Sequence, residues 1–345
     1  MEITTIGLDI AKRVFQAHGA DALGEAVLRR KLHRAEVLSF FAALPPCLVG
    51  IEACSTAHHW AREIRAFGHE VRLMPASYVK PYVKRSKTDA ADAEAICEAV
   101  TRPTMRFVPI KTAEQQAVLM LHRTRDLLVR QRTMLVNALR GHMAELGVIA
   151  PQGIGRVGDL VAALLGEDEG RLPALARQAL RGLAAELEAL GKRVKEVEVS
   201  ILAWHKDNDA SRRLATIPGI GPITASAIVA TVTNPSLFHS ARQFAAWIGL
   251  VPKQNSSGGK ERQVGISKQG DRYLRRLLVL GATAIIRRSR AKITAATAWL
   301  RGLLDRRPAR LASVAQANKT ARIAWAVLAR GETYRAPAAV QAAAA

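Results

Sequence analysis

Asp9 sits in Ile6-Gly7-Leu8-Asp9-Ile10, a short apolar run in which nothing nearby in sequence pairs with it. A carboxylate on a buried strand is costly unless something does. Two other acidic stretches answer it. Glu52 ends Val49-Gly50-Ile51-Glu52, and Asp89 and Asp92 lie in Lys87-Thr88-Asp89-Ala90-Ala91-Asp92. Phosphodiester chemistry needs the attacking and leaving oxygens held beside one or two Mg²⁺ ions, and hard cations take carboxylate oxygens. Asp89 and Asp92, three apart, share one face of a helix. Converged, the four acids would repel one another, and a divalent cation would offset that repulsion. Each also has a plainer reading: Asp92 solvated in a first helical turn, Asp89 as a helix cap, Glu52 paired with an arginine. Asp9 resists such a reading, because Ile6, Leu8 and Ile10 argue for burial.

The elements that must position these acids follow from periodicity. Residues 3–10, 14–19 and 25–32 read as three strands joined by short turns, a meander. A helix over 34–44 stops at Pro45-Pro46. A strand over 47–52, a helix over 55–67 capped by Ser55, a strand over 70–74 and an alanine-rich helix over 89–100 complete the order β-β-β-α-β-α-β-α. Three antiparallel strands leading into parallel βα units is the pattern of an α/β RNase H-like domain.

Beyond it the chain reads as helical. A long amphipathic helix over 113–146 and a second over 183–205, with short helices over 160–165 and 173–180 between them, suggest a connector or a dimerising coiled coil. Pro218-Gly219-Ile220-Gly221-Pro222 between apolar helices resembles a helix-hairpin-helix, whose Gly219 and Gly221 would let backbone N–H groups approach a phosphate. A helix over 238–250 leads to a loop over 252–270 that holds Ser256, Ser257, Lys260, Arg262 and Lys268. A basic helix over 271–288 carries Arg272, Arg275 and Arg276. By residue type, Ser256-Ser257-Gly258-Gly259 is an ordinary polar turn.

Charge separates the two halves. The 345 residues carry a formal net charge of +22. Residues 205–345 hold 23 Lys/Arg against 6 Asp/Glu, whereas residues 1–110 hold 15 against 12. Acids early and bases late suggest acid-based chemistry followed by a nucleic-acid grip. Cys47, Cys54 and Cys97 lack CxxC spacing, which argues against a zinc site or a disulfide framework. No apolar run reaches membrane-spanning length, and the first residues do not read as a signal peptide. A cytoplasmic, nucleoid-associated bacterial protein with no membrane partner is expected. The domains read as 1–110, 111–204 for the connector, 205–335, and a disordered alanine-rich tail over 336–345.

Gly7-Leu8-Asp9-Ile10-Ala11-Lys12, Gly50-Ile51-Glu52-Ala53 and Thr88-Asp89-Ala90-Ala91-Asp92-Ala93 resemble the DEDD transposases whose N-terminal domain is RuvC-like. Gly249-Leu250-Val251-Pro252, Ser257-Gly258-Gly259-Lys260, Gly265-Ile266-Ser267-Lys268-Gln269-Gly270-Asp271, Leu274-Arg275 and Asn318-Lys319-Thr320-Ala321-Arg322 are similar to that family's C-terminal domain. The resemblance implies a recombinase that excises and inserts a mobile element. It implies Mg²⁺, two ions, on Asp9, Glu52, Asp89 and Asp92. It implies a serine, Ser257 with Ser256 as the alternative, that forms a covalent link to DNA. It further implies donor and target double-stranded DNA, a structured non-coding guide RNA, a homodimer or homotetramer, and an active site drawn from different subunits. The basic residues Lys260, Arg262, Lys268, Arg272, Arg275 and Arg276 would hold nucleic acid. Pilin-gene invertases are related, so a site-specific DNA invertase is one alternative. A RuvC-type hydrolytic nuclease or junction resolvase, and a non-enzymatic nucleic-acid-bridging protein, are the others.

Overall fold

The computed structural model describes residues 2–84, 88–149, 153, 155–159, 172–256, 258, 263–291 and 295–336; for 263, 264, 289–291 and 295–298 it describes the backbone only. The chain forms two compact units, Met1–Gln116 and Ala117–Ala345.

The first unit is mixed α/β. Its strands are β1 (Thr5–Ile10), β2 (Val14–Ala20), β3 (Ala26–His33), β4 (Leu48–Glu52) and β5 (Glu70–Met74). They form one sheet in the order β3-β2-β1-β4-β5. The meander is antiparallel, and β4 and β5 join in parallel. Helices α1 (Val37–Ala42) and α2 (Ala57–Ala66) contribute Val37, Phe41, Trp60 and Ile64 to a core with Ile6, Leu8, Val49 and Ile51. After the short α3 (Ala76–Val79), helix α4 (Asp89–Val100) packs a second core through Ile96, Ala99 and Val100.

Successive strand residues point to opposite faces. Ile6 and Leu8 therefore take one face of β1, and Gly7 and Asp9 the other. On that second face the glycines decide how close α4 comes. A Cβ at Gly7 would run into the Ala93 carbonyl oxygen and the Cys97 amide nitrogen. A Cβ at Gly50 would lie 2.8 Å from Cβ of Val100. The helix backbone rests directly on β1, and its Val100 side chain rests on β4.

The start of α4 is capped by Thr88, whose Oγ1 accepts from the Ala91 amide at 3.2 Å. Asp89 is thus the first helical residue and not the cap. Likewise Thr56, not Ser55, precedes α2, and its side chain makes no capping bond.

The second unit is mostly helical. Helix α5 (Ala113–Glu145) begins at the end of the first unit and continues into the second. Helix α6 (Ala174–Asp207) is continuous, so the separate short helix expected over 173–180 is its first two turns. Residues 160–165 lie outside the described residues. Helices α7 (Asp209–Ala215) and α8 (Pro222–Thr231) flank the Gly219–Gly221 turn, and α9 (Ala241–Trp247) is shorter than its sequence pattern suggests. The segment expected as a loop contains a two-stranded ribbon, β6 (Pro252–Gln254) and β7 (Gln263–Ile266), paired antiparallel. Helices α10 (Arg272–Ala291), α11 (Ala295–Leu304) and α12 (Ala309–Arg330) follow. One core gathers Leu214, Ile228, Phe244, Leu274, Leu278, Ala317 and Ala324.

A buried polar chain ties three of these helices. Oγ of Ser226 donates to the Pro222 carbonyl at 2.7 Å. Its one hydrogen is thereby committed, so Nε2–H of His122 donates to Ser226 at 3.1 Å. Nδ1 of His122 then accepts from the Tyr273 hydroxyl, also at 3.1 Å. Burial pushes His122 down to about 4, which keeps it neutral in this role. Arg125 pairs with Glu198 at 2.6 Å beside it, joining α5 to α6.

Gly7→Ala should lower unfolding free energy by about 3 kcal/mol, the upper range for overpacking against immovable backbone. Gly191→Ala is the control. Its Cβ meets open space within α6, and about 0.5–1 kcal/mol of stabilisation is expected from helix propensity. Denaturant unfolding of both variants checks the contrast.

Candidate active site

The acids of the first unit inherit their positions from the two glycines. The last paired residues of β1 and β4 are Leu8 and Ile51. Asp9 and Glu52 are each one step beyond, side by side on the face that carries Gly7 and Gly50. Along this face α4 runs with Val100 over Gly50 and Cys97 and Ala93 over Gly7. One further turn toward its start brings Asp92 and Asp89 to the end where Asp9 stands.

Electrostatics agree with this placement. Asp9 is pushed up to about 6, first by burial and then by the charges of Asp89, Asp92 and Glu52. A backbone hydrogen bond from Ile10 opposes the shift. Asp9 therefore senses the other three acids of this β1–β4–α4 corner. Their oxygen donors fit a hard divalent cation. Among the described residues no three His, Cys, Asp or Glu side chains already close around a point that could hold one. The corner is a converging acidic cluster, not a finished cage.

Sequence reading missed two neighbours. Gln16 on β2 is the cross-strand partner of Asp9, and His18 is the partner of Gly7; both are buried. Burial lowers the His18 pKa, with Glu94 opposing. The repeated pattern of glycine, apolar residue, acid at 7–9 and 50–52 was the available signal for the α4 docking.

In the second unit, Ser256 is exposed just after β6. Ser257, Lys260 and Arg262 lie outside the described residues. Lys268 is exposed and adopts a left-handed φ of 56°, uncommon for a residue with a Cβ. Its amide donates to the Gly249 carbonyl at 3.2 Å, and the Ser267 amide donates to Val251 at 2.8 Å. These bonds fix the segment following the ribbon against the end of α9. Gly249 and Gly270 allow that contact, since a Cβ on either would strike backbone of the other segment.

Three residues expected to hold nucleic acid also have internal partners. Arg275 donates to the carbonyls of Ile248 at 2.7 Å and Gln269 at 2.6 Å, clasping the same two segments. Arg276 pairs with Asp126 and lies 5.3 Å from the Tyr273 ring centroid. Gly219, at φ 83°, sits against Gly281 and Ile285 of α10, so its lack of a side chain serves packing. Gly221 faces open space at the start of α8, and Arg272 is exposed at the start of α10.

Comparison with known proteins matches two family profiles. Residues 6–147 match a DEDD transposase of the IS110 type, and residues 211–297 match the transposase IS116/IS110/IS902 family. A probable family 20 transposase of Pseudomonas aeruginosa is 51% identical over 336 residues, 97% of this chain and 99% of the relative. The chain belongs to the IS110/IS116/IS902 family of transposases. The transposase for insertion sequence element IS1111A of Coxiella burnetii is 41% identical, with 97% of this chain and 92% of that protein aligned. The transposase for IS1328 of Yersinia enterocolitica is 39% identical, over 96% and 98%. This transposase is therefore a DNA enzyme. Among the described residues, no helix is long and apolar enough to cross a membrane.

The raised pKa of Asp9 makes a stability prediction for the metal-free transposase. The folded state binds this proton more tightly than the unfolded chain. Its stabilising contribution is full below about pH 4 and is lost as pH rises through about 6. Asp9→Asn should therefore be more stable than the parent at pH 8 in chelator, by on the order of 1–2 kcal/mol after allowing for partial exposure. The difference should vanish near pH 4. Thermal unfolding at the two pH values is the measurement.

Proposed function

We propose that this transposase cuts and rejoins DNA through a covalent serine–DNA intermediate, with Mg²⁺ held by Asp9, Glu52, Asp89 and Asp92 on an RNase H-like domain. The observation that carries the reading is that Asp9, at the end of β1, feels the charges of Glu52 on β4 and of Asp89 and Asp92 on α4. Bound there, a divalent cation would neutralise charge on the phosphate and on the oxygens around it. The chain's own residues do the rest. The carboxylates orient the scissile phosphate by holding its counter-charge, and the first turn of α4 adds its positive dipole end.

Ser257, with Ser256 as the alternative, supplies the nucleophile. Its Oγ bonds to phosphorus as the phosphorus–deoxyribose oxygen bond breaks. The hydroxyl proton leaves to a base, and the released sugar oxygen takes up a proton. A serine hydroxyl needs such activation to react. Attack by a sugar hydroxyl on the serine phosphodiester reverses the step and joins a new strand, with no net energy input. Lys260, Arg262, Lys268 and Arg272 are proposed to neutralise DNA near this loop. The open Gly221 turn is proposed as the phosphate-facing part of a helix-hairpin-helix. A structured guide RNA, a homodimer or homotetramer, and the functional domains 1–110, 111–204 and 205–335 complete the reading, which rests there on family likeness.

Ser257→Ala should abolish the denaturant-resistant protein–DNA adduct and lower strand exchange by about 10³-fold or more, the scale on which removing a nucleophile acts. Ser256→Ala should leave both largely intact. The reverse pattern would move the role to Ser256. Cutting that persists in both variants without an adduct would establish water as the nucleophile.

A further inference from the structure

The sequence motif Asn318-Lys319-Thr320-Ala321-Arg322-Ile323-Ala324-Trp325 lies on α12, and packing accounts for most of it. Nδ2 of Asn318 donates to the Leu250 carbonyl at 3.1 Å, and Nε1 of Trp325 donates to the Pro235 carbonyl at 3.0 Å. Thr320, Ala321 and Ala324 are buried. Lys319 is different. Its Nζ sits 4.4 Å from the ring centroid of Trp299 on α11, and among the described residues it has no ion pair.

Trp299 is itself out of place as a structural residue. Trp60 is 4% exposed and packs on Phe15, and Trp247, though 38% exposed, stacks on Phe244 and lies tilted against Phe238. Trp299 remains 44% exposed, and Lys319 is its ring partner among the described residues. A tryptophan buries more apolar surface than most side chains when packed, and leaving it in water forgoes that gain.

The charge carried by the two helices favours one kind of occupant. Residues 299–330 carry Arg301, Arg306, Arg307, Arg310, Lys319, Arg322 and Arg330 against Asp305 alone. Among the described residues none of these seven cations is in an ion pair. An apolar protein partner would have to bring its own acids to such a patch. Nucleic acid supplies both requirements, a flat apolar ring and adjacent negative charge. Within a duplex both faces of each base are already stacked, so an internal base pair has no free face to offer. An unpaired base does.

We propose that Trp299 and Lys319 form a stacking site for an unpaired nucleobase, with the ammonium under one indole face and the base on the other. The cation holds the ring through its quadrupole and sits within reach of a flanking phosphate. The inference rests on the reading of this chain as a nucleic-acid enzyme and adds the form of strand that α11 and α12 take.

Binding of the full chain to short mixed-sequence single strands, as DNA and as RNA, and to a blunt DNA duplex tests it. Trp299→Ala should weaken single-strand binding by about 5- to 100-fold, the range of one stacked base, with less than about a twofold change for the duplex. Trp299→Phe should keep most of the affinity. Lys319→Gln should reduce the salt dependence by about one phosphate contact. Single strands should quench the fluorescence of the parent chain more than that of Trp299→Phe, and this comparison decides the matter should Trp299→Ala fail to fold. The DNA and RNA arms separate an opened DNA strand from a guide RNA. Unchanged single-strand affinity, or equal loss for single strand and duplex, overturns the proposal. A parent chain that binds no nucleic acid at all would instead overturn the functional reading beneath it.

Discussion

The acidic corner depends on how closely α4 lies on β1 and β4. Any side chain at Gly7 would collide with helix backbone, which cannot give way as a side-chain tip can. With glycine at 7 and 50, the helix settles onto the sheet and its first turn arrives beside Asp9 and Glu52. The same contact buries Asp9 partway and surrounds it with like charge. Its pKa near 6 records that cost. The folded chain thus holds a strained electrostatic arrangement in place by apolar packing on the helix's other turns, where Ile96, Ala99 and Val100 are buried. Such a site favours a cation because the packing keeps the acids from separating.

The second unit uses the same device for a different purpose. Gly219 against Gly281, and Gly249 and Gly270 against their facing segments, let irregular backbone lie on backbone. Arg275 satisfies the carbonyls such contacts would otherwise leave without donors. The result is a fixed base for the ribbon that leads to Ser256. The neutral His122 relay adds a second anchor at Tyr273, the second residue of α10, and links it to Ser226 in α8. Positive charge is plentiful here, and the structure sorts it. Arg275 and Arg276 hold the protein together, whereas Arg272 and the cations of α11 and α12 remain available to a polyanion.

Strand and helix order in the first unit was legible because alternation and capping act over a few residues. Asp9 was legible as an anomaly for the same reason. The ribbon formed by β6 and β7 was not, since strands of three and four residues are too short to carry a usable period. Nor was the continuity of α6, whose first turns look separate when only their apolar spacing is read.

By itself the sequence determined which residues could do chemistry: four acids in order, a basic second half, and two short strands that each carry glycine, an apolar residue and an acid in succession. Tertiary structure decided which of them meet and which are already engaged. It brought Asp89 and Asp92 to Asp9, 80 and more positions away in the chain, and added Gln16 and His18 beside them. It gave Gly219, Arg275 and Arg276 to packing, and it left Trp299 in water with Lys319 beneath it. The reason is one of range. Propensity and periodicity are local, whereas desolvation, close backbone approach and ion pairing depend on residues that only the folded chain makes neighbours.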